Sequence, residues 1–139
     1  MTVMSVLTPH KLAFSEAWIE GEPDARWRSA SALGPGTGAS DSGCSVLEVE
    51  PGCRLGRHID SAEETVVVLE GQAEVVIEGT AERLPCGALA LVPKEVPHEV
   101  RNPGPSVMRF VAFYAEADVV STYDQPVQPS GEQKRSPVG

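Results

Sequence analysis

Residues 52–71 read GCRLGRHIDSAEETVVVLEG, and this stretch decides the fold. Turn residues open and close it, and the run of valines near its end is typical of a β-strand. Successive side chains of an extended strand alternate between its two faces, so His58 and Asp60 project to the same face. Glu64 begins the next strand on the face that it shares with Val66. If that face is the interior of a barrel, one hairpin brings His58, Asp60 and Glu64 together.

The rest of the chain repeats this pattern of short β-prone runs between Gly and Pro turn signals. Turns are predicted at Pro51-Gly52, Glu70-Gly71 and Glu78-Gly79. The predicted strands are Ser45 to Glu50, Glu64 to Leu69, Gln72 to Ile77, Ala88 to Val92, His98 to Arg101 and Val107 to Phe113. No stretch keeps a helical period over four turns, although residues 11–19 fit either a short helix or an edge strand. The pattern predicts an all-β fold, a small antiparallel sandwich or barrel.

The composition is that of one globular domain with flexible ends. The chain has 139 residues, of which 41% are apolar and 22% charged, and its Gly and Pro content favours a turn-rich fold. We predict an N-terminal arm and loop over residues 1–44, a barrel over 45–120 and a disordered tail over 121–139. The tail prediction depends on its Gln, Pro, Ser and Gly content and its few apolar residues.

Charge and cysteine content argue against several classes of partner. The 11 basic and 20 acidic residues give a net charge of −9, and a field of that sign repels nucleic-acid phosphates and anionic membranes. No apolar run approaches the roughly 20 residues of a transmembrane helix, and residues 1–7 lack the features of a signal peptide. Cys44, Cys53 and Cys86 form no C-x-x-C pair, which suits reduced thiols. We therefore expect a cytoplasmic protein with no nucleic-acid or membrane partner.

A second histidine cluster lies downstream, at residues 93–98, which read PKEVPH. His98 begins a later strand at a position that can face the same interior as His58. Two imidazoles with one or two carboxylates and open positions form a ligand set suited to Fe(II), Mn(II), Ni(II) or Zn(II). These clusters are therefore candidates for the two halves of a metal site.

Other polar residues stand apart from these clusters. His10 lies in the N-terminal segment, and we expect it to be structural or exposed. Arg109 interrupts an apolar run and faces either the outer sheet or the pocket, where it would bind a carboxylate. Further arginines that flank the cavity or are solvated are Arg54, Arg57 and Arg101.

Together, the two histidine clusters resemble the paired motifs of the cupin superfamily. The first motif, G-x5-H-x-H-x3,4-E-x6-G, is met by Gly52, His58, Glu64 and Gly71, with Asp60 at the second His. The second motif, G-x5-P-x-G-x2-H-x3-N, is met by Gly87, Pro93, His98 and Asn102, with Glu95 at the second Gly. The resemblance implies a small jelly-roll barrel that often dimerises and holds a metal ion at its centre.

The same resemblance implies a metal site made of His58, Asp60, Glu64 and His98. Asp60 makes this set more anionic than the family's usual three His and one Glu, which favours a cation that prefers oxygen ligands. The order H-x-D followed by a distant His also matches the facial triad of non-haem Fe(II) oxygenases. Glu64 is then either a fourth ligand or a base beside the metal. Asp60 is either a ligand itself, or its replacement of the motif's second His has cost this cupin its metal.

Three functions fit these residues. The first is a metal-dependent enzyme that acts on a small molecule, which we expect to be an Fe(II) oxygenase with Asp60 and Glu64 as its catalytic carboxylates. A redox-inert metal would instead assist a cyclase or isomerase reaction of a carbonyl compound, with a free carboxylate as base. The third is a cupin that binds a small molecule without turnover. We also expect a homodimer in which an N-terminal arm with Trp18 and Trp27 covers the partner's exposed edge.

Overall fold

The computed structural model describes residues 4–138 as an almost entirely β structure. In chain order the strands are β1 (Ser15–Ile19), β2 (Glu22–Leu33), β3 (Gly43–Val49), β4 (Arg54–Asp60), β5 (Glu64–Glu70), β6 (Ala73–Ile77), β7 (Thr80–Leu84), β8 (Leu89–Val92), β9 (His98–Arg101), β10 (Met108–Tyr114), β11 (Ser121–Val127) and β12 (Glu132–Arg135). Two short 3-10 helices, Pro9–Lys11 and Pro35–Thr37, complete the described elements. The prediction of an all-β fold is confirmed.

The strands form two sheets that face each other across the core. The first sheet has the order β1-β2-β3-β10-β5-β8. The second has the order β12-β11-β4-β9-β6-β7. A parallel pair between Ala25 and Arg54 joins β2 to β4, and the neighbours within each sheet run antiparallel. The result is a nearly closed barrel of the jelly-roll type that the motifs imply.

Alternation along the strands places the core between the two sheets. Met108, Phe110 and Ala112 of β10 are buried and alternate with residues of the outer face. Val66 and Val68 of β5 show the same period and pack against them in one apolar cluster. Burying one large apolar side chain stabilises a fold by about 1.5–3 kcal/mol, so these inward positions hold the sheets together.

The tight turn predicted at Glu78-Gly79 is confirmed. Ile77 pairs with Thr80, so Glu78 and Gly79 alone form the loop. Both have a positive φ, 49° for Glu78 and 80° for Gly79. This is the type I′ geometry, whose twist matches that of two antiparallel strands. The resulting hairpin adds β7, a strand outside the predicted set, to the edge of the second sheet.

The N-terminal segment is part of the barrel. β2 pairs with β3 between Arg28 and Leu33, and β1 lies on its other side as an edge strand. The prediction of a separate arm over residues 1–44 is therefore wrong for the residues described. Alanines and serines along β2 give little apolar alternation, although Ala25 and Trp27 are buried. Of the two structures considered for residues 11–19, the edge strand is observed.

The C-terminal segment is ordered as well. β11 pairs with both β4 and β12, so the prediction of a disordered tail over 121–139 is wrong as far as residue 138. Ser121, Tyr123 and Val127 face inward and are buried. A strand at the rim of a barrel needs small or apolar side chains only on its inward face. The amino-acid composition averaged over the whole segment hides that pattern. Residues 1–3 and 139 of the two predicted ends lie outside the described residues.

A row of alternating charges crosses the outer face of the first sheet. Arg28, Glu48, Arg109 and Glu70 lie on four adjacent strands and pair in register. Arg109 Nε donates to Glu48 Oε2 at 2.9 Å, and its Nη1 lies 2.6 Å from Glu70 Oε1. Arg28 Nε donates to Glu48 Oε1 at 3.2 Å. Of the two orientations considered for Arg109, the outer sheet is the one observed, and its carboxylate partners are the protein's own.

Within the described chain, no helix has both the length and the apolar character needed to span a bilayer. Cys44, Cys53 and Cys86 are all free thiols.

Candidate metal centre

Four polar side chains from the two sheets meet inside the barrel. His58 and Asp60 lie on β4, and His98 of β9 lies directly opposite His58. Glu64 begins β5 in the facing sheet. The exposed fraction of each residue is between 1% and 3%. The structure thus brings together all four residues that the motifs single out.

The distances define a group of three residues with a fourth beside it. His98 Nε2 lies 3.2 Å from Asp60 Oδ2 and 3.2 Å from Glu64 Oε1, and His58 Nε2 lies 3.5 Å from Asp60 Oδ2. Ligand atoms of His58, Asp60 and His98 all lie within 4.8 Å of one another. Glu64 joins this three-residue group through His98. Two imidazoles and one carboxylate therefore come from one sheet, and a second carboxylate faces them from the other.

Backbone carbonyls orient both imidazole rings. His58 Nδ1 donates to the carbonyl oxygen of Gly56 at 2.7 Å, and His98 Nδ1 donates to that of Val96 at 2.9 Å. Because a carbonyl oxygen can only accept, each Nδ1 carries a hydrogen. The lone pair of the neutral ring is then at Nε2, which points toward the carboxylates. A hydrogen bond of this kind at the far nitrogen is the usual way in which a ligating histidine is fixed.

The buried charges shift the pKa values of the group in opposite directions. Burial alone would raise the pKa of Asp60, but its contacts with His58 and His98 outweigh that effect and hold the pKa well below the ordinary value. Burial, reinforced by the charge of Asp60, raises the pKa of Glu64. Burial would lower the pKa of His98, yet the contacts with Asp60 and Glu64 raise it to about 10. The centre therefore attracts positive charge strongly.

The donor atoms at this centre fit a divalent cation. Asp60 Oδ2, Glu64 Oε1 and His98 Nε2 are buried. The 3.2 Å contacts of His98 Nε2 with the two carboxylates lack hydrogen-bond geometry, and among the described residues none of the three atoms has a well-formed hydrogen bond. Unpartnered polar atoms in the interior of a protein destabilise it, because they have given up their hydration. A cation shared among these atoms removes that cost. A mixed set of imidazole nitrogens and carboxylate oxygens suits Fe(II), Mn(II), Ni(II) and Zn(II).

The sequence analysis missed two residues that complete the centre. Ser121 of β11 lies opposite Asp60, and its hydroxyl donates to Asp60 Oδ1. Tyr123 lies opposite His58, and its ring stacks on the imidazole with 4.6 Å between ring centroids. Both belong to the segment that composition assigned to a disordered tail. Ser121 and Tyr123 alternate with Thr122 and Asp124, but this run carries too few apolar side chains to identify a strand from the sequence.

A cavity of about 210 Å³ opens beside the centre. His58 and Glu64 reach it from the metal centre, and Trp27, Tyr114 and Tyr123 form aromatic walls. Hydroxyl groups and one cation provide its other polar lining: Ser15, Ser29, Ser31, Ser45, Ser121, Ser136 and Arg135. The arginines considered as flanking the cavity bind carboxylates outside it instead: Arg54 contacts Glu22, Asp24 and Glu99, Arg57 contacts Asp124, and Arg101 contacts Glu74 and Glu99.

Two motif positions support the backbone instead of the centre. Asn102 is buried, and its side-chain amide donates to the carbonyl oxygens of Val49 and Ser106, both at 2.8 Å. Glu95 has a φ of 61°, the left-handed conformation in which glycine is the least strained residue. The motif glycine that Glu95 replaces therefore matches a real backbone requirement. The backbone N–H of Glu95 donates to the carbonyl oxygen of Asp60 at 2.8 Å and ties this turn to β4.

The match to a known family covers the strands that carry these motifs. A family model described as a cupin domain matches residues 45–114, half of the chain. The chain belongs to the cupin superfamily. The sequence shows no match to a functionally curated protein.

Solved structures share the fold of this cupin at low sequence identity. The polyketide cyclase RemF from Streptomyces resistomycificus is 22% identical over 84% of each chain, with a TM-score of 0.66. A predicted oxalate decarboxylase from Thermotoga maritima is 16% identical over 81% of this chain and 99% of that chain, with a TM-score of 0.69. A conserved protein with a double-stranded β-helix domain from Klebsiella pneumoniae is 21% identical over 86% of this chain and 97% of that chain, with a TM-score of 0.67. These likenesses establish the fold.

Proposed function

We propose that this cupin is a metal-dependent enzyme that acts on a small organic molecule. The proposal rests on one observation: three buried atoms that have no hydrogen-bond partner within residues 4–138 converge with His58 Nε2 beside a cavity. Such a centre combines a place for a metal ion with room for a substrate. His58, Asp60 and His98 would hold the metal, with Glu64 either a fourth ligand or a free carboxylate.

Fe(II) is the proposed metal and oxygenation the proposed reaction. Two histidines and one carboxylate form the ligand set of non-haem iron oxygenases, and His58, Asp60 and His98 match it. An Fe(II) ion in such a set supplies one-electron chemistry with O2. The chain's own contribution is to orient the imidazoles through Gly56 and Val96 and to surround the substrate with the aromatic walls of the cavity. Mn(II), Ni(II) and Zn(II) also suit the donor set.

A cyclase or isomerase of a small carbonyl compound is the second candidate. It is favoured by the position of Glu64, which comes from the facing sheet, lies outside the three-residue group and also lines the cavity. A carboxylate placed in this way would take a proton from a carbon beside a carbonyl group that a redox-inert metal polarises. Because RemF is a polyketide cyclase, polyketides belong among the substrates to be tested.

Metal analysis followed by O2-uptake measurements tests the proposal. Protein purified without added metal should contain close to one equivalent of a divalent metal per chain. His98→Ala should lose it, whereas His10→Ala should keep it because His10 lies on the surface beside Glu70. O2 uptake with a candidate metabolite would establish the oxygenase, and turnover without O2 uptake would establish the cyclase or isomerase. If the wild-type protein takes up no metal, the metal-dependent enzyme is excluded and a protein that binds a small molecule without catalysis is the remaining function.

The proposal extends to assembly and location. The outer face of the first sheet exposes apolar side chains beside the open edge of β8, and we propose that a second copy of the chain covers them in a homodimer. Trp27 is only 2% exposed and stacks on Tyr123, so it cannot serve the partner's edge. Three free thiols and a net charge of −9 support a cytoplasmic protein without nucleic-acid or membrane partners.

A further inference from the structure

Arg135 differs from every other arginine of the chain in its surroundings. Of the eight arginines, seven contact a carboxylate of the protein within the described residues. Arg135 has no such contact in that part of the chain, although the protein carries 20 acidic residues. It is half-buried and lines the cavity with His58 and Glu64. A cation placed at a cavity without an internal partner is available to a ligand.

The register of the second sheet aims Arg135 toward the metal centre. Asp60 of β4 pairs with Ser121 of β11, and Ser121 pairs with Arg135 of β12. Residues directly opposite one another on adjacent antiparallel strands project to the same face of the sheet. Arg135 therefore shares the inward face of Asp60 and lies two strand spacings away, roughly 10 Å between Cα atoms. Its neighbour Lys134 projects to the opposite, exposed face.

A second observation shows an unsatisfied polar group in the same cavity. The hydroxyl of Ser45 is buried, lines the cavity, and lies near the Tyr114 side chain without a well-formed hydrogen bond to any described residue. Such a group accommodates a polar ligand atom at little cost, because it has no well-formed internal hydrogen bond to break. The cavity thus offers a cation at one place, a buried hydroxyl at another and the candidate metal centre at a third.

We propose that Arg135 binds the carboxylate of the substrate and that this cupin therefore acts on small monocarboxylates. The guanidinium fork matches a carboxylate with two parallel hydrogen bonds. A dianionic phosphate is a poorer match, since one cation would face its two charges next to Asp60 and Glu64. The cavity volume of about 210 Å³ is below the roughly 300–1,000 Å³ of pockets for drug-sized ligands, so the substrate is small. The orientation of its reacting end toward His58 and Asp60 rests on the proposed function, whereas the anion site does not.

The test compares a charged probe with its neutral counterpart of the same shape. Benzoate and benzamide are titrated into the full chain by NMR, both after metal removal and after loading with Zn(II). Wild-type protein should bind benzoate at least about tenfold more tightly than benzamide, because a charge-assisted hydrogen bond is worth that much. R135Q should lose this preference, and R135K should bind benzoate more weakly than wild type because Lys lacks the fork. K134Q removes the same charge from the exposed face of the same strand and should leave benzoate affinity unchanged.

Several results would overturn the proposal. Equal benzoate affinity in wild type and R135Q is one, and a wild-type protein that binds neither probe or does not distinguish them is another. If R135Q does not fold, R135K decides, and benzoate affinity equal to wild type would then count against the carboxylate site. The outcome is separable from that of the proposed function. If the protein takes up metal but R135Q binds benzoate as wild type does, only the anion site is refuted. If benzoate binding depends on Arg135 but the protein takes up no metal, only the metal enzyme is refuted.

Discussion

The two carboxylate oxygens of Asp60 have different surroundings. Oδ1 accepts the hydrogen bond from the Ser121 hydroxyl, whereas Oδ2 has no hydrogen-bond partner among the described residues and lies between His58 and His98. One oxygen is thus held by a neutral donor while the other is left for a cation. This division would make Asp60 a metal ligand and Ser121 the residue that positions it, and each proposed role makes its own prediction.

Asp60→Ala should weaken metal affinity more than Ser121→Ala does. The first variant removes an oxygen ligand, and the second removes only the group that orients it, for which a loss of about 10–100-fold is typical. Asp60→His restores the ligand set usual in cupins and should keep the metal while altering reactivity. Competition with a chromophoric chelator measures each affinity. If Asp60→Ala binds metal as tightly as wild type, Asp60 is not a ligand and the facial-triad argument for O2 chemistry fails.

Among the turns, the one between β8 and β9 carries strain that a single substitution should relieve. Glu95 adopts the left-handed conformation, which costs a non-glycine residue about 1–2 kcal/mol. Glycine also gives the unfolded chain more conformational entropy, which lowers the free energy of unfolding by about 0.4–1 kcal/mol. Glu95→Gly should therefore raise the free energy of unfolding by about 0.5–1 kcal/mol. Urea denaturation measures it, and Glu95→Ala, which removes the side chain but keeps the strain, should show no such gain.

On the first sheet, the charged row links four strands and should make stability depend on pH. Burial would raise the pKa of Glu48, but its hydrogen bonds with Arg109 and Arg28 lower it below the ordinary value. A group with a lowered folded-state pKa stabilises the fold above its unfolded pKa, and this contribution is lost as the pH falls through the folded value. Glu48→Gln should lower the free energy of unfolding by about 2 kcal/mol at pH 7 and by progressively less in acid.

Urea denaturation of the two proteins at neutral and acid pH tests the role of Glu48. Glu16→Gln is the matched control, because Glu16 pairs with Arg26 on an exposed surface where such pairs contribute about 0–1 kcal/mol. A difference between wild type and Glu48→Gln that is the same at every pH would contradict the assignment to the ionised carboxylate.

Strands with continuous runs of β-branched apolar residues, and motif residues at fixed spacing, were predictable from the sequence. Val66 and Val68 reveal β5, and the spacing of His58 and His98 from their motif glycines places them on strands that prove adjacent. Elements with weak alternation were not predictable in this way. β2 relies on Ala25 and other small side chains, and β11 presents only Ser121, Tyr123 and Val127 to the interior. Strands that line a small cavity or the rim of a barrel need few large apolar side chains. The residues that β11 contributes to the centre were therefore not predicted from the sequence.

For the molecule as a whole, the outer face of the first sheet predicts a dimer. Leu89 is 68% exposed, Leu91 58% and Phe113 46%, and these side chains lie on strands that adjoin through β5. Light scattering at tens of micromolar should give the mass of two chains. Leu91→Glu should give one, since it introduces a charge into the proposed contact. Val6→Glu replaces an apolar residue that is more exposed, at 81%, and lies outside these strands, so it should leave the dimer intact. A wild-type mass of one chain contradicts the prediction.

The hairpin of β11 and β12 has a consequence for how the protein is made. A ribosome synthesises His58, Asp60, Glu64 and His98 before it reaches Ser121 and Arg135. The barrel cannot be completed until β11 and β12 have also left the exit tunnel, because a domain generally folds as a unit. Before that stage Asp60 lacks the hydroxyl that orients it, and the cavity lacks Arg135. The chain thus acquires its candidate ligands early in translation and the residues that position and complement them only after β11 and β12 have emerged.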